Sequence, residues 1–200
     1  MRWIDDVADW GGERPATLVV RARDSAERHA HLRALAARAL GLDRAAVEVL
    51  HAEGRAPRLV RPECGLVLSS ASRGGLAALS VADGPVGADV ELEGPAGEVP
   101  WQVLHPAERE ALGALPALLL GRAFARLWSL KEAYLKALGT GLAREPGSFA
   151  VYLTGPDRAA IEDGRAPAPV IEARTTWRRV GGRRAAVSAV LLAPPDQWSP

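Results

Sequence analysis

Two short stretches of this chain carry side chains that could do chemistry together. The first is Gly87-Ala88-Asp89-Val90-Glu91. On a strand, residues two apart face the same side, so Asp89 and Glu91 present their carboxylates as a pair. Paired carboxylates raise each other's pKa unless a cation lies between them. Hard oxygen ligands of this kind suit Mg²⁺, which takes one or two protein carboxylates and fills its octahedron with water and substrate phosphate. Standing alone, a D-x-E pair is more often a solvated strand face.

The second stretch runs from Phe124 to Lys136. Placed on a helix at about 100° per residue, Phe124, Leu127, Trp128, Tyr134, Leu135 and Leu138 form one apolar stripe. Lys131 falls in the middle of that stripe, where an ammonium is costly unless it meets an anion. Glu132 and Lys136 lie one turn apart at the stripe's edge. A snorkelling Lys131 beside a surface Glu132–Lys136 pair is the plain alternative. Yet of 25 Lys and Arg residues, only Lys131 and Lys136 are lysine. That choice suggests that a compact ammonium, rather than a guanidinium, is wanted there.

Both stretches need elements to hold them. Residues 17–23 read as a strand, and Asp24-Ser25 caps a helix whose Leu32, Leu35, Ala36 and Leu40 recur until Gly41 stops it. Short strands are expected over 47–51, 65–69, 76–82 and 86–92, with a Pro/Arg-rich loop at 54–62 and a turn at 70–75. A helix follows Pro106, a longer one spans about 119–138, and strands over 149–153, 170–174, 176–180 and 184–192 complete the chain. The segment Gly74-Gly75-Leu76-Ala77-Ala78-Leu79-Ser80 is faintly echoed by Gly181-Gly182-Arg183-Arg184-Ala185-Ala186-Val187-Ser188. The echo hints at an α+β unit used twice. Residues 94–100 read as a linker, dividing the chain into halves at 1–98 and 99–200.

Composition narrows the function. A net charge of +1 gives no basic field for nucleic acid. Acid at Asp5-Asp6 stands where a signal peptide would turn apolar, and the run near residues 115–120 is too short to span a bilayer. Cys64 is the only cysteine and can form no intrachain disulfide, so a cytoplasmic location is expected. His29, His31, His51 and His105 have no zinc spacing with Cys64. Ser69, Ser70 and Ser72 lack a G-x-S-x-G setting. Trp3, Trp10 and Trp198 lie near the termini and are expected to be exposed.

Taken together, Gly87–Glu91 and Trp128-Ser129-Leu130-Lys131-Glu132-Ala133, with Lys136, Gly139, Gly141 and Leu142, resemble the paired signature of 4′-phosphopantetheinyl transferases of the surfactin-synthetase type. Gly54-Arg55-Ala56-Pro57 is similar to the family's G-K/R-P loop, and His105-Pro106-Ala107-Glu108 to its short acidic helix start. The resemblance implies an α+β fold of two similar halves about a pseudo-two-fold, with CoA in the cleft between them. It implies a Mg²⁺ site (Mn²⁺ also suiting) at Asp89, Glu91 and Glu132. Lys131 and Lys136 would hold phosphate, with Glu132 the general base and Lys136 beside it. The activity implied is transfer of phosphopantetheine from CoA to a serine of an acyl or peptidyl carrier protein by a monomer that engages neither nucleic acid nor membrane. A degenerate, non-catalytic relative that binds a carrier or a CoA-like ligand is the alternative. One departure stands out: Ala71, between Ser70 and Ser72, occupies the place of a histidine that contacts the nucleotide end of CoA. Arg33, Arg38, Arg55 or Arg73 could take over, with Ser70 and Ser72 nearby. If none does, CoA binding is weakened and Ala71→His should tighten it.

Overall fold

A computed structural model of the chain describes residues 1–52 and 55–194. It begins with strands β1 (Arg2–Ile4) and β2 (Ala16–Arg21), then helix α1 (Ser25–Leu40). The helix has the bounds its capping residues dictate. Asp24 accepts from Glu27 N at 2.8 Å, and Gly41, at φ 66°, closes the last turn in the left-handed region. Strands β3 (Glu48–Leu50), β4 (Arg58–Arg61), β5 (Val67–Arg73), β6 (Leu76–Ala82) and β7 (Val86–Leu92) follow. Then come α2 (Pro106–Gly113), α3 (Ala117–Ala137), β8 (Ala150–Leu153), β9 (Ala159–Glu162), β10 (Val170–Val180) and β11 (Arg183–Leu192).

The larger sheets have the orders β1-β2-β6-β5 and β10-β11-β7. Strand β6 shows how they stack. Its Ala77, Leu79 and Val81 pack with Leu32, Leu35 and Ala36 of α1, while Leu76 and Ala78 pack with Ala88, Val90 and Val187 of the other sheet. Both faces are covered, which is why the strand reads Leu-Ala-Ala-Leu-Ser-Val-Ala rather than as an alternation. Leu130, Ala133 and Tyr134 of α3 pack with Ala173, Val190 and Leu192 on the outer face of the second sheet. The layers therefore run α1, first sheet, second sheet, α3, in a fold of mixed α and β content. Among the described residues no helix is long and apolar enough to cross a membrane.

Several elements depart from the sequence expectations. Residues 1–15, ahead of the first expected strand, hold β1, a parallel partner of β2 too short to show periodicity. The Pro/Arg-rich loop holds β4, paired with β3. The turn at 70–75 narrows to Gly74-Gly75, at φ 60° and 82°, so Ser70, Ala71, Ser72 and Arg73 are strand residues. Positive φ at both positions is what a two-residue hairpin turn demands, and Gly181-Gly182 repeat it at 55° and 78°. Residues 170–180 form one strand rather than two, and β9 carries no alternation that would announce it. Trp10 is wholly buried in the first core, its Nε1 donating to Glu13 O at 3.1 Å; Trp198 lies outside the described residues. The chain changes sheets between β6 and β7. Strand β7, assigned by the sequence to the first half, pairs with β11 in the second sheet.

Candidate active site

Gly87 decides how α3 meets the second sheet. A Cβ on Gly87 would overlap Ala133 O and come within 2.6 Å of Ala137 N. Only a bare α-carbon lets the helix backbone lie there. The helix answers with small residues four apart: Gly121, Ala125, Ser129, Ala133 and Ala137, all buried. Ser129 Oγ sits 2.6 Å from Ser188 Oγ on β11, one bond across this close contact.

Residues flanking the small stripe are thereby brought onto β7. Lys136 Nζ donates to Asp89 Oδ1 at 2.6 Å and to Ala88 O at 3.3 Å. Asp89 is 7% exposed, and its burial raises its pKa against the opposing pull of Lys136. Glu91 is raised by burial, then lowered by Arg73 and raised by Asp89. Glu132 is raised by burial and then by Asp89, with Lys136 pulling the other way and Glu91 adding to the rise. The Glu132 carboxylate has no hydrogen bond or ion pair among the described residues. Three carboxylates therefore feel one another across the helix–strand contact. One ammonium and the Arg73 guanidinium, 3.6 Å from Glu91 Oε1, offset them.

Charge and donor type suit a divalent cation. Among the described residues, however, no three carboxylate, imidazole or thiol groups converge closely enough to cage one. Mg²⁺ needs only one or two carboxylates when phosphate oxygens supply the rest. The donor set thus fits an ion that arrives with a phosphate ligand better than a resident one.

The sequence model of the 4′-phosphopantetheinyl transferase superfamily matches residues 85–187, more than half of the chain. The chain belongs to this superfamily. The matched span holds Gly87, the carboxylates of β7, and Glu132 and Lys136. Compared with curated proteins, the chain matches none. Superfamily members move phosphopantetheine from CoA, so the phosphate that this donor set anticipates is the expected kind of ligand.

Against that background, Lys131 corrects its expectation. It is wholly buried, and the anion it meets is Glu108, 2.6 Å away, with Phe149 O at 2.8 Å and the Phe149 ring at 4.1 Å from Nζ. It faces the protein interior rather than a ligand phosphate. Glu108, which sequence reasoning placed only at a helix start, is fully bonded: Oε1 also accepts from Val151 N at 2.8 Å, and Oε2 from His105 N at 2.9 Å. Its capping-box position was readable, but its partner across the fold was not.

The cofactor-binding candidates also separate. Arg33 Nε donates to Arg44 O and Val47 O at 2.9 and 2.7 Å, and Arg38 Nε is bound to Trp10 O. Both brace loops beside α1 and are not brought to the carboxylates. Arg55 is exposed in the loop whose Gly54 lies outside the described residues. Ser70, Ser72 and Arg73 share the end of β5, and only Arg73 reaches the carboxylate group. Ala71, 8% exposed, packs between the sheets with Ala78, Ala88 and Val90. An imidazole there would overfill that interface, so Ala71→His is expected to destabilise rather than to tighten CoA binding.

Proposed function

We propose that this member of the superfamily transfers the 4′-phosphopantetheine of CoA to a serine hydroxyl of an acyl or peptidyl carrier protein, in the manner of the surfactin-synthetase type. The observation that carries the reading is the close crossing of α3 over Gly87, which sets Glu132 and Lys136 against Asp89 and Glu91. A divalent cation, Mg²⁺ or Mn²⁺, held by one or two of Asp89, Glu91 and Glu132 with phosphate oxygens supplying the rest, would neutralise the CoA pyrophosphate and polarise the attacked phosphorus. Lys136 stands ready to exchange its bond with Asp89 for one with a phosphate oxygen. Glu132, the carboxylate without a protein partner and with a raised pKa, takes the serine proton. The serine oxygen bonds to the β-phosphorus, the bridge to the α-phosphate breaks, and 3′,5′-ADP leaves.

The layering supports a reading as two similar halves about a pseudo-two-fold, with CoA in the cleft between them. Each sheet carries one helix on its outer face, and each has a Gly-Gly hairpin leading into a strand with a buried serine, Ser80 or Ser188. We place the protein in the cytoplasm as a monomer. The test is mass spectrometry of an apo-carrier protein incubated with the chain, CoA and Mg²⁺. A gain of one phosphopantetheine, absent with Asp89→Ala, is the expected result. CoA binding without transfer would instead identify a non-catalytic relative.

A further inference from the structure

Both Gly-Gly hairpins deliver an arginine to the end of β7. The first hairpin packs against that strand, since a Cβ on Gly74 would come within 3.2 Å of Leu92 Cδ1. Arg73, the residue before it, lies two positions beyond Ala71, on the face of β5 that meets the second sheet. Its side chain leaves that interface at the rim, where Nη2 stands 3.6 Å from Glu91 Oε1. The same oxygen accepts from Leu92 N at 3.0 Å. The second hairpin brings Arg183, whose Nη2 donates to Glu93 O at 3.1 Å. Burial pushes the Glu91 pKa up; of the groups that pull it down, Arg73 is the strongest and Arg183 the weakest.

A divalent cation on Glu91 therefore meets a guanidinium already beside its donor carboxylate. The repulsion is not screened away, because the Glu91 side chain is only 18% exposed. A pyrophosphate brings negative charge that offsets both cations at once, so the guanidinium opposes the bare ion more than the ion with its phosphate ligand. We propose that Arg73 is the internal counter-ion of Glu91, holding down the affinity of this site for a divalent cation alone and so making the cation depend on pyrophosphate. The inference rests on the reading of Asp89, Glu91 and Glu132 as the cation site. Arg73 is itself 59% exposed, which limits its influence to a few-fold.

The test is titration of Mn²⁺ into the wild type, Arg73→Gln, Arg73→Lys and Arg44→Gln, with and without saturating CoA. Free Mn²⁺ is read by electron paramagnetic resonance, and thermal melts confirm that each variant is folded. Arg44, exposed beyond the far end of α1, carries the same change of charge away from the site. Arg73→Gln should bind Mn²⁺ alone about threefold or more tighter than the wild type, and CoA should then add correspondingly less. Arg73→Lys, which keeps the charge, and Arg44→Gln should both stay at the wild-type value. Arg183→Gln should give a smaller gain, and it serves if Arg73→Gln does not fold. An Arg73→Gln no tighter than the wild type, or an Arg73→Lys as tight as Arg73→Gln, overturns the inference, while Mn²⁺ binding that CoA strengthens in the wild type leaves the transferase reading standing. Absence of Mn²⁺ binding in every variant, with and without CoA, overturns the two together.

Discussion

The two helix–sheet contacts of this protein are built on opposite plans. Helix α1 meets its sheet through full-sized side chains, Leu32 and Leu35 against Leu18 and Leu79. The buried polar groups of that sheet are hydroxyls: Thr17, Ser69 and Ser80. Where helix α3 crosses β7 it presents glycine, alanine and serine, and Asp89 is buried beside that contact, while Lys131 of the same helix is buried with Glu108 of α2. An interface filled by large side chains holds the backbones apart and settles into a core. One emptied of them lets backbone lie on backbone, and the charged residues at its edges become half-buried neighbours. Candidate chemistry sits only on the second plan. The cost is buried charge, which Glu108 offsets with bonds from Lys131, Val151 and His105.

The contrast breaks most severely at Lys131. Lys131→Ala leaves the Glu108 carboxylate buried without its cation and should cost about 3–5 kcal/mol in urea denaturation, while replacing both partners by Met and Leu should recover most of it. A loss below about 1 kcal/mol would put the ammonium outside the core's support. Gly87→Ala comes next, at about 1–3 kcal/mol, because its methyl would displace α3 main chain. Gly65→Ala, with open space around the added carbon, is the control and should stay within about 0.5 kcal/mol. Equal melting of both variants would refute the close crossing.

The smallest effect is electrostatic. The pKa values of Asp89, Glu91 and Glu132 are raised, so folding favours their protonated forms. Stability from these groups is fully present below the ordinary carboxylate range and is lost as pH rises through the raised values. Without divalent cation, Glu132→Gln should therefore melt about 2–4 °C higher than the wild type near pH 8. The gain should vanish toward about pH 4. A variant less stable at every pH would mean that Glu132 supports the fold.

Much of the site was legible because its residues are local to one strand and one helix. Asp89 and Glu91 share a face by strand period, and Glu132 and Lys136 by helix period; both periods survive in the fold. The buried place of Lys131 was legible too, but its anion was not. A carboxylate 23 positions away in sequence becomes its neighbour only when α2 docks. The arginines of α1 misled for a related reason. A guanidinium serves a backbone carbonyl as readily as a phosphate, and Arg33 and Arg38 do the former. The sheet exchange at β7 was hidden because a strand's own residues do not say which partner it will take.

We propose that α3, by lying on Gly87, brings Glu132 to Asp89 and Glu91 and so completes one cation-dependent pyrophosphate site. Calorimetric titration of Mg²⁺ into the protein, with and without saturating CoA, tests it most directly. Weak binding alone, binding about tenfold or more tighter with CoA present, and loss of that gain in Glu132→Gln are the expected results. Mg²⁺ affinity that ignores CoA, or that survives unchanged in Glu132→Gln, would contradict it.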